Sequence, residues 1–301
     1  MLQQTQVGTV VPYFQRFTDR FPELADLARA ELDEVMALWS GLGYYARARN
    51  LHAAARICAE QHEGCLPETS EELQALPGIG ESTANAIIAQ AHDRRAPILD
   101  GNVKRVLARH AAIAGWPGRI AVQRQLWQES EHRTPPDRAR DYTQAIMDLG
   151  ATLCRRSKPD CPNCPVADDC QALFLNLVEQ LPESRKPRPR PRRSTCLAVI
   201  RDDQGRILLE RRPPSGIWGG LWSLPELPND DTLRGQPLAS IEHHFTHFIL
   251  DIHPFLVLAP ENLAIADESK KEWLSPSEAL DRGLPRPIRQ IIQSLDVIEK
   301  N

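Results

Sequence analysis

Long apolar runs are absent from this 301-residue sequence. It contains no stretch of about 18 apolar residues, and it does not begin with a basic segment followed by an apolar one. Such segments mark membrane-spanning helices and secretory signals. The sequence predicts neither, and we expect a cytoplasmic protein that does not bind membranes.

Positive charge is not in excess either. The 36 Lys and Arg residues are outnumbered by 40 Asp and Glu residues, and the net charge is -4. Residues 1–194 contain 25 cations and 24 carboxylates, whereas residues 195–301 contain 11 and 16. This balance excludes a protein that binds nucleic acid through its overall field. Local motifs would have to make any such contact.

Cysteine is scarce outside one short segment. The chain has seven cysteines, an odd number, and four of them lie between Cys154 and Cys170. In a reducing compartment such a group binds metal more often than it forms disulfides. The sequence therefore predicts a metal centre in this segment.

The apolar periodicity changes once along the chain, and a chain of this length usually forms two domains. Residues 1–181 show helical spacing, typical of an all-α domain. In residues 182–194 prolines alternate with cations, which favours an extended basic linker that is either solvated or placed against DNA phosphates. Residues 195–301 contain stretches with a period of two and predict a smaller α+β domain.

The elements predicted from these patterns are as follows. Helices are predicted for the apolar face from Val7 to Phe17 and for residues 31–40, 47–62, 70–76, 81–92, 101–114, 120–132, 138–153, 276–282 and 285–295. Strands are predicted for residues 196–200, 206–210 and 248–258. Thr69, just before the helix at 70–76, has the side-chain oxygen that an N-cap needs.

The spacing of the four clustered cysteines is the most specific feature. It is Cys154-x6-Cys161-x2-Cys164-x5-Cys170. A structural zinc site usually has two close pairs of ligands, and only one close pair occurs here. The spacing alone leaves zinc and an iron-sulfur cluster open.

Two shorter motifs have both a structural and a functional interpretation. Leu76-Pro77-Gly78-Ile79-Gly80 predicts a tight turn between helices, either a plain connection or a place where the backbone approaches a ligand. Asp100, before Gly101 and Asn102, is either a helix N-cap or a functional carboxylate.

Together these motifs resemble the superfamily of endonuclease III and the adenine DNA glycosylases of the MutY type. The cysteine spacing after the predicted helix that ends at Cys154 resembles the 4Fe-4S loop of that superfamily, and the glycine turn resembles its helix-hairpin-helix within residues 70–92. Residues 2–7, 39–52 and 142–154 match the adenine glycosylases further. The resemblance covers residues 1 to about 295.

The resemblance implies a role for each matching residue. Gly78, Gly80 and Ser82 would bind a DNA phosphate, and Cys154, Cys161, Cys164 and Cys170 would hold the 4Fe-4S cluster. Asp100 would stabilise the oxocarbenium ion of the sugar, with Asn102 and Lys104 beside it. Gln4 and Tyr44 would be wedges in the opened duplex, since flipping a base out costs a few kcal/mol, and Gln144 would contact the adenine.

The residue at position 82 separates two chemistries of the superfamily. Endonuclease III has a lysine there that forms a Schiff base with the abasic sugar, whereas this chain has Ser82. The sequence therefore favours a glycosylase without lyase activity at this position.

The second domain resembles the Nudix-like lesion-recognition domain of the same family. The similarity rests on residues 211–222 and on Phe245, Thr246 and His247. No Arg-Glu-x-x-Glu-Glu box is present to hold magnesium, which argues against nucleotide hydrolysis. Many family members have serine where Thr246 stands, so an added methyl lies where the lesion is expected.

We therefore predict a helix-hairpin-helix glycosylase domain with an iron-sulfur loop at 154–170, a linker at 182–194 and a Nudix-like α+β domain at 195–301. Its partner is predicted to be double-stranded DNA with A:8-oxoguanine or A:G mispairs, bound by a monomer. The alternatives are a non-catalytic lesion-binding protein and an endonuclease III-like pyrimidine glycosylase/lyase.

The family's general acid is a glutamate that lies two residues before the position of Met1. Protonation lets the purine leave as a neutral base, and a positioned acid contributes about 10²- to 10⁴-fold. Asp19 and Glu23, the first acidic residues of this chain, lie more than two helical turns beyond that helix start. From the sequence we expect that the natural reading frame begins upstream.

The 301-residue form is accordingly expected to bind DNA with little or no adenine excision. Joining the family's upstream glutamate segment to Met1 is expected to restore excision, because it supplies the missing acid. Single-turnover assays on an A:8-oxoguanine duplex compare the two forms. Full activity of the 301-residue form would contradict the prediction.

Overall fold

The computed structural model describes residues 1–3, 5, 7–185, 189–227, 235–258 and 270–298. The chain forms two compact units, Met1–Cys65 together with Pro189–Asn301, and Leu66–Arg188. Residues 1–65 therefore share a unit with the C-terminal part of the chain. None of the described helices is long and apolar enough to cross a membrane.

The described elements follow in chain order. The helices are α1 (Val7–Arg20), α2 (Leu24–Arg29), α3 (Leu32–Trp39), α4 (Ala46–Gln61), α5 (Ser70–Ala75), α6 (Glu81–His92), α7 (Gly101–His110), α8 (Ile120–Arg133), α9 (Ala139–Thr152), α10 (Gln171–Phe174), α11 (Pro276–Asp281) and α12 (Arg286–Ile298). The strands are β1 (Arg192–Arg201), β2 (Ile207–Arg211), β3 (Trp222–Ser223), β4 (Glu226–Leu227), β5 (Gln236–Pro237), β6 (Ile241–His244), β7 (Ile249–Leu258) and β8 (Lys271–Leu274).

The strands form one mixed sheet. Its main path is β3-β2-β1-β7-β5, and β4, β6 and β8 pair with β1, β7 and β2. Strands β1 and β7 run parallel along their whole length, from Arg192 opposite Ile249 to Arg201 opposite Leu258. The other pairs are antiparallel. This confirms the predicted α+β architecture and places the β6–β7 turn at one end of the longest strand pair.

Helices from both ends of the sequence share one core with this sheet. Trp39 of α3 is almost fully buried and meets Phe17 of α1 edge to face at 5.9 Å. The same cluster contains Ile288 and Ile292 of α12 and Leu209 of β2, none of which is exposed. Burial of such side chains contributes about 1.5–3 kcal/mol each, so α1 and α3 are integral to this unit.

Only part of the apolar face predicted for α1 is buried. Val10 and Phe17 pack into the core, whereas Val7, Val11 and Phe14 are 62%, 59% and 57% exposed. The sequence stretch is apolar on two sides of the helix, and the core contacts one of them.

The described part of the second unit contains helices and connecting loops but no strands. Its core is formed mainly by α7, α8 and α9, and includes Val103, Leu107 and Leu126, which are essentially inaccessible to solvent. The predicted N-cap at Thr69 is confirmed, because its side chain accepts a hydrogen bond from the backbone N–H of Glu72.

Two boundaries differ from the sequence prediction by four residues, and the other boundaries of the predicted elements differ by three residues or fewer. Helix α7 ends at His110 rather than at residue 114, because Ala112 adopts a left-handed conformation at φ +48°. Strand β1 begins at Arg192, inside the predicted linker. The backbone of Arg192 pairs with β7, and the Arg192 side chain forms ion pairs with Asp251 and Glu242.

Candidate active site and cysteine loop

Asp100 stands at the amino end of α7, directly after the buried residues Ile98 and Leu99. Its Oδ1 accepts a 2.7 Å hydrogen bond from the backbone N–H of Val103, so the predicted N-cap is present. The side chain is half-exposed. A carboxylate has about four acceptor positions, so capping leaves Asp100 able to face a ligand as well.

Asn102 is held in place by the next turn of the helix and by α9. Its Oδ1 accepts a 2.9 Å bond from Arg105 Nη2, which also donates to the carbonyl of Gly150 at 2.6 Å. Arg105 Nε donates to the carbonyl of Cys154 at 2.7 Å. A Cβ at Gly150 would lie 2.7 Å from Asn102 Cβ, so glycine is needed where α7 and α9 cross. Arg105 thus connects Asn102 to the start of the cysteine loop.

The glycine turn connects α5 to α6 as predicted. Gly78 has a φ of +80°, a conformation in which glycine is favoured. Gly80 is the N-cap of α6, and a Cβ there would meet no atom within 4 Å, so the backbone is open to an approaching group. Ser82 Oγ accepts a 2.9 Å bond from the backbone N–H of Leu99. This bond fixes α6 to the residue that precedes Asp100.

Gln144 is exposed on α9, and its amide is oriented from both sides. Its Oε1 accepts a bond of 3.0 Å from Gln90, and its Nε2 donates to Asp148 at 2.8 Å. Lys104 is half-exposed on α7, and no residue in the described part of the chain forms an ion pair with it. The amide of Gln144 is therefore preset, whereas the ammonium of Lys104 is available.

All four predicted cysteine ligands line one cavity after α9. The wall is largely apolar, and includes Val106, Leu149, Leu153, Val166, Leu173 and Val178 together with His110 and Asp160. Burial raises the pKa of the Cys161 thiol, and the thiols of Cys154, Cys170 and Cys164 raise it further. The possible metal ligands in this cavity are mainly the four cysteine thiols, and these thiols interact electrostatically.

Among the described residues, no three His, Cys, Asp or Glu side chains are placed to hold a metal ion. All four thiols nevertheless line the same cavity.

Arg109, in the last turn of α7, organises the cysteine loop. It is only 3% exposed. Its Nε donates to the carbonyl of Leu181 at 2.8 Å, and its Nη atoms donate to the carbonyls of Arg155 and Arg156 at 2.7 and 3.2 Å. Its Nη1 also lies 3.4 Å from Cys154 Sγ. The sequence analysis did not single out this residue, although Arg105 and Arg109 share one helix face at i and i+4.

Tyr44, in the other unit, is displayed by a strained turn. Gly43 and Tyr44 have φ values of +76° and +52°, and this conformation is uncommon for a tyrosine. Trp39 Nε1 and Arg47 Nη2 donate to the carbonyl of Gly43 at 3.1 and 3.2 Å. The Tyr44 ring is 47% exposed, with the Arg47 guanidinium 5.2 Å from its centre.

Arg47 also holds the first residues of the chain. Its Nη1 donates to the carbonyls of Met1 and Gln3, both at 2.6 Å. The predicted wedge Gln4 lies outside the described residues. Arg47 is a second organising residue that the sequence analysis did not identify.

Tyr45 differs from its neighbour. Its hydroxyl donates to the carbonyl of Leu284 at 3.4 Å, and burial raises its pKa. Of the two adjacent tyrosines, Tyr45 is therefore structural, and only Tyr44 is presented to solvent.

Phe245, Thr246 and His247 form the tight turn between β6 and β7. The turn is closed by a 2.9 Å bond from the backbone N–H of Phe245 to the carbonyl of Phe248. The two phenylalanine rings stack at 4.4 Å, and Thr246 and His247 are exposed. The Thr246 hydroxyl lies 3.4 Å from His247 Nδ1.

Two further rings support this turn. His243 meets Phe245 edge to face at 4.6 Å, and Trp218 lies 6.0 Å from Phe245. Burial lowers the pKa of His243, and the charges of His244 and Arg286 lower it further. A neutral His243 therefore packs under the turn at neutral pH.

The Tyr44 and Phe245 turns line the same cleft within this unit. The cleft has a volume of about 660 Å³. Its cations are Arg47, Arg49 and Arg286. The unit thus brings together Tyr44, Phe245, Thr246 and His247, four of the residues chosen from sequence.

Two family models match the chain. Residues 1–132 match the HhH-GPD superfamily of base excision DNA repair proteins, and residues 196–294 match the NUDIX domain.

Curated relatives match nearly the whole chain. The adenine DNA glycosylase of Buchnera aphidicola (subspecies Acyrthosiphon pisum, strain APS) is 34% identical, and the match covers 98% of this chain and 87% of that protein. The adenine DNA glycosylase of Mus musculus is 32% identical over 97% of this chain and 69% of its own length. That of Homo sapiens is 35% identical over 85% of this chain and 57% of its own length.

Solved structures show the same helical fold. A non-covalent endonuclease III–DNA complex matches with a TM-score of 0.50 and 23% identity, over 58% of this chain and 80% of that chain. A thermostable thymine-DNA glycosylase matches with a TM-score of 0.50 and 24% identity over the same shares.

Proposed function

The chain belongs to the adenine DNA glycosylase family, and we propose that it hydrolyses the N-glycosidic bond of adenine paired with 8-oxoguanine or guanine in duplex DNA. The match to curated glycosylases over 98% of the chain carries this proposal. The product is an abasic site. The HhH-GPD match is proposed to carry excision, and the NUDIX match is proposed to recognise the opposite base.

The glycine turn is proposed to bind a DNA phosphate. Gly80 leaves the backbone at the start of α6 open, and the amides of a helix start attract anions. Such contacts position DNA without reading its sequence. Ser82 has a hydroxyl and no amine, and its Oγ accepts a structural bond from the backbone N–H of Leu99. We therefore expect no Schiff base at this position and an abasic product that remains uncleaved until alkali is added.

Asp100 is proposed to stabilise the positive charge that develops on the sugar as adenine departs. A preorganised negative group at that point lowers the barrier without reorganising during the reaction. The capping bond to Val103 and the Ser82 bond to Leu99 hold Asp100 in position. Asn102, fixed by Arg105, is proposed as its neighbour in the site.

The remaining residues are proposed to act on the extruded base and the opened duplex. Gln144 has a preset amide that can donate to and accept from the adenine edge. Tyr44 presents an exposed ring from a rigid turn, as a wedge requires. Gln4 is proposed as a second wedge from its position in the family motif alone.

The four cysteines are proposed to hold a 4Fe-4S cluster. They line one largely apolar cavity, and their spacing along the chain resembles the 4Fe-4S loop of the superfamily. When bound, the cluster supplies a covalent cross-link of the loop through thiolate–iron bonds. Arg109 holds the loop backbone and lies against Cys154 Sγ, where a cation favours the thiolate form.

Purified protein is therefore expected to be brown, with about four irons and four sulfides per chain. Cys164→Ser is expected to lower iron content and thermal stability, because one ligand is lost. Cys65→Ser, at an exposed cysteine outside the loop, is the control and should leave both unchanged. A colourless, folded protein with stoichiometric zinc would refute the cluster.

Phe245, Thr246 and His247 are proposed to recognise 8-oxoguanine from the cleft. Thr246→Ala is expected to reduce the preference for A:8-oxoguanine over A:G about two- to tenfold, because loss of one hydrogen bond costs roughly 0.5–1.5 kcal/mol. Thr246→Ser should retain the preference. Ser240→Ala, which removes a hydroxyl bonded to His253 elsewhere in this unit, is the control. Equal binding ratios for all variants would contradict this role.

We also propose the domain limits and the oligomeric state. Residues 1–181 are proposed to carry excision and residues 195–301 recognition, with 182–194 as the linker and the monomer as the working form. The division of the structure into two units groups residues 1–65 with the recognition part, so excision and recognition share structural elements. Size-exclusion chromatography with light scattering tests the monomer.

A single-turnover excision assay beside a binding titration tests the function as a whole. The substrates are A:8-oxoguanine, A:G and C:G duplexes and a duplex with an oxidised pyrimidine. We expect preferred binding of A:8-oxoguanine, and we expect any base that is released to be adenine. Binding without excision would instead indicate a lesion-binding protein. Pyrimidine removal with strand cleavage before alkali would indicate an endonuclease III-like enzyme.

A further inference from the structure

Trp218 and Arg286 line the same cleft as Tyr44 and the β6–β7 turn, and the recognition proposed for the turn residues uses neither. Both belong to the unit that contains the turn. The cleft volume of about 660 Å³ lies within the roughly 300–1,000 Å³ of sites that enclose a small ligand. A guanidinium and an indole N–H can only donate hydrogen bonds, so both side chains offer donors to a group that enters the cleft.

Arg286 supplies an uncommitted cation. Arg47 and Arg49, the other arginines of the cleft, donate to backbone carbonyls. Arg286 is exposed at the start of α12, and it forms no ion pair and no side-chain hydrogen bond with any residue in the described ranges. Burial lowers the pKa of His243, and the charges of His244 and Arg286 lower it further. The field of Arg286 therefore reaches the ring that packs under the turn.

Trp218 supplies a second uncommitted donor. Its side chain is only 9% exposed, and its indole N–H donates to no residue in the part of the chain that the structure describes. This N–H is not fully enclosed by protein atoms either. Polar groups of nearly buried side chains usually have a hydrogen-bond partner. Here a ligand in the cleft can provide the missing acceptor.

The backbone holds Trp218 in a fixed conformation. Its φ is +55°, which is uncommon for a bulky residue, and its carbonyl accepts a 3.0 Å bond from the backbone N–H of Leu221. The next residue, Gly219, approaches the chain so closely that a Cβ there would lie 2.5 Å from the carbonyl oxygen of Pro214. Strained conformations of this kind persist where the surrounding structure enforces them, and they are concentrated at ligand sites.

The base that is proposed to occupy the cleft differs from guanine by one strong acceptor. Guanine presents its C6 oxygen and N7 as acceptors in the major groove and has only a C–H at C8. 8-Oxoguanine has an additional carbonyl oxygen at C8, and a carbonyl oxygen can accept two hydrogen bonds. Cationic donors form the stronger hydrogen bonds. Two uncommitted donors, one of them cationic, therefore favour the oxidised base over guanine.

We propose that Arg286 and Trp218 are further specificity-determining residues, and that they donate hydrogen bonds to the C8 oxygen of 8-oxoguanine. The inference rests on the proposed function, since it takes the base opposite adenine as the ligand of the cleft. With guanine in the same place, both donors remain unpaired. A site built to hydrogen-bond one group discriminates against the analogue that lacks it, because its polar groups are left without partners.

The test compares the Kd values of each variant for A:8-oxoguanine and A:G duplexes. Arg286→Gln is expected to lower the preference for A:8-oxoguanine about tenfold, the lower end for a hydrogen bond to a charged group. Trp218→Phe keeps an aromatic ring and removes the N–H, and should lower the preference about two- to tenfold. Arg286→Lys should retain most of the preference, because it retains a cationic donor.

Two controls separate a base contact from other effects. Arg56→Gln removes an arginine that is exposed on α4 and does not line the cleft, and should keep the parent preference. The slope of log Kd against log salt is measured as well, since each phosphate contact contributes about 0.9 to it. Arg286→Gln should leave this slope at the parent value. Thermal unfolding shows whether Trp218→Phe is folded, and Arg286→Gln, at an exposed position, decides the question if it is not.

The possible results bear on different claims. A parent-like preference in Arg286→Gln would overturn this inference while leaving the proposed function intact. Equal weakening of both duplexes by Arg286→Gln, together with a smaller salt slope, would assign Arg286 to a phosphate and overturn its role in specificity. A parent protein that binds neither duplex, or does not distinguish the two, would overturn the proposed function itself.

Discussion

Asp100→Asn is expected to lower the rate of adenine excision by about 10²- to 10³-fold, the cost typical of losing one preorganised electrostatic group. The substitution removes the negative charge and retains an oxygen that caps the helix. Asparagine is as good an N-cap as aspartate, so the bond to the backbone N–H of Val103 can persist. Stability and duplex affinity are therefore expected to stay at the parent level.

Two companion variants make this result specific. Asp100→Ala removes both the charge and the cap, and should lose about 1 kcal/mol of stability in addition to activity. Asp137→Asn neutralises an exposed carboxylate far along the sequence and should behave like the parent. Excision is measured under single-turnover conditions in the parent and in each variant. An Asp100→Asn protein that excises adenine at the parent rate would leave Asp100 with only its capping role.

Arg109→Met is expected to cause the largest loss of stability among the variants considered. Methionine has a similar length but no donors, so the carbonyls of Leu181, Arg155 and Arg156 lose their partner. Each buried polar group left unsatisfied costs about 1–3 kcal/mol. The total is expected to be about 3 kcal/mol or more, with reduced iron content because the loop backbone around Cys154 is released.

Thermal unfolding and iron analysis measure both effects. Arg109→Lys keeps the charge but cannot reproduce the fork of donors, and should fall between the parent and Arg109→Met. Arg124→Met makes the same chemical change at an exposed position on α8 and should leave both quantities near the parent values. Parent-like Tm and iron content in Arg109→Met would show that the loop holds itself without this arginine.

Most long helices were predictable because their apolar residues repeat at 3.6-residue spacing. Helices α4, α6 and α8 begin and end within about one residue of the predicted limits. The short strands β3, β4 and β5 were not predicted, since two residues show no period and exist as strands only through pairing with β1, β2 and β7. Helix α2 was not predicted either, because its six residues are too few to show a clear helical period.

The site residues divide in a similar way. Asp100, Gly78 and the four cysteines belong to short motifs. Their spacing along the sequence was enough to identify them. Arg109 and Arg47 could not be chosen in this way, because their partners lie 45 or more positions away for Arg109 and up to 46 positions away for Arg47.

By itself, the sequence determined the helical and α+β parts, the four-thiol loop, the glycine turn and the capping carboxylate, because each depends on neighbours along the chain. The tertiary structure alone decided that the first 65 residues share a core with the sheet, that Tyr44 rather than Tyr45 is exposed, and that Arg109 holds the loop. Burial and long-range hydrogen bonds depend on which distant segments pack together. The local periodicity of the sequence does not specify which segments these are.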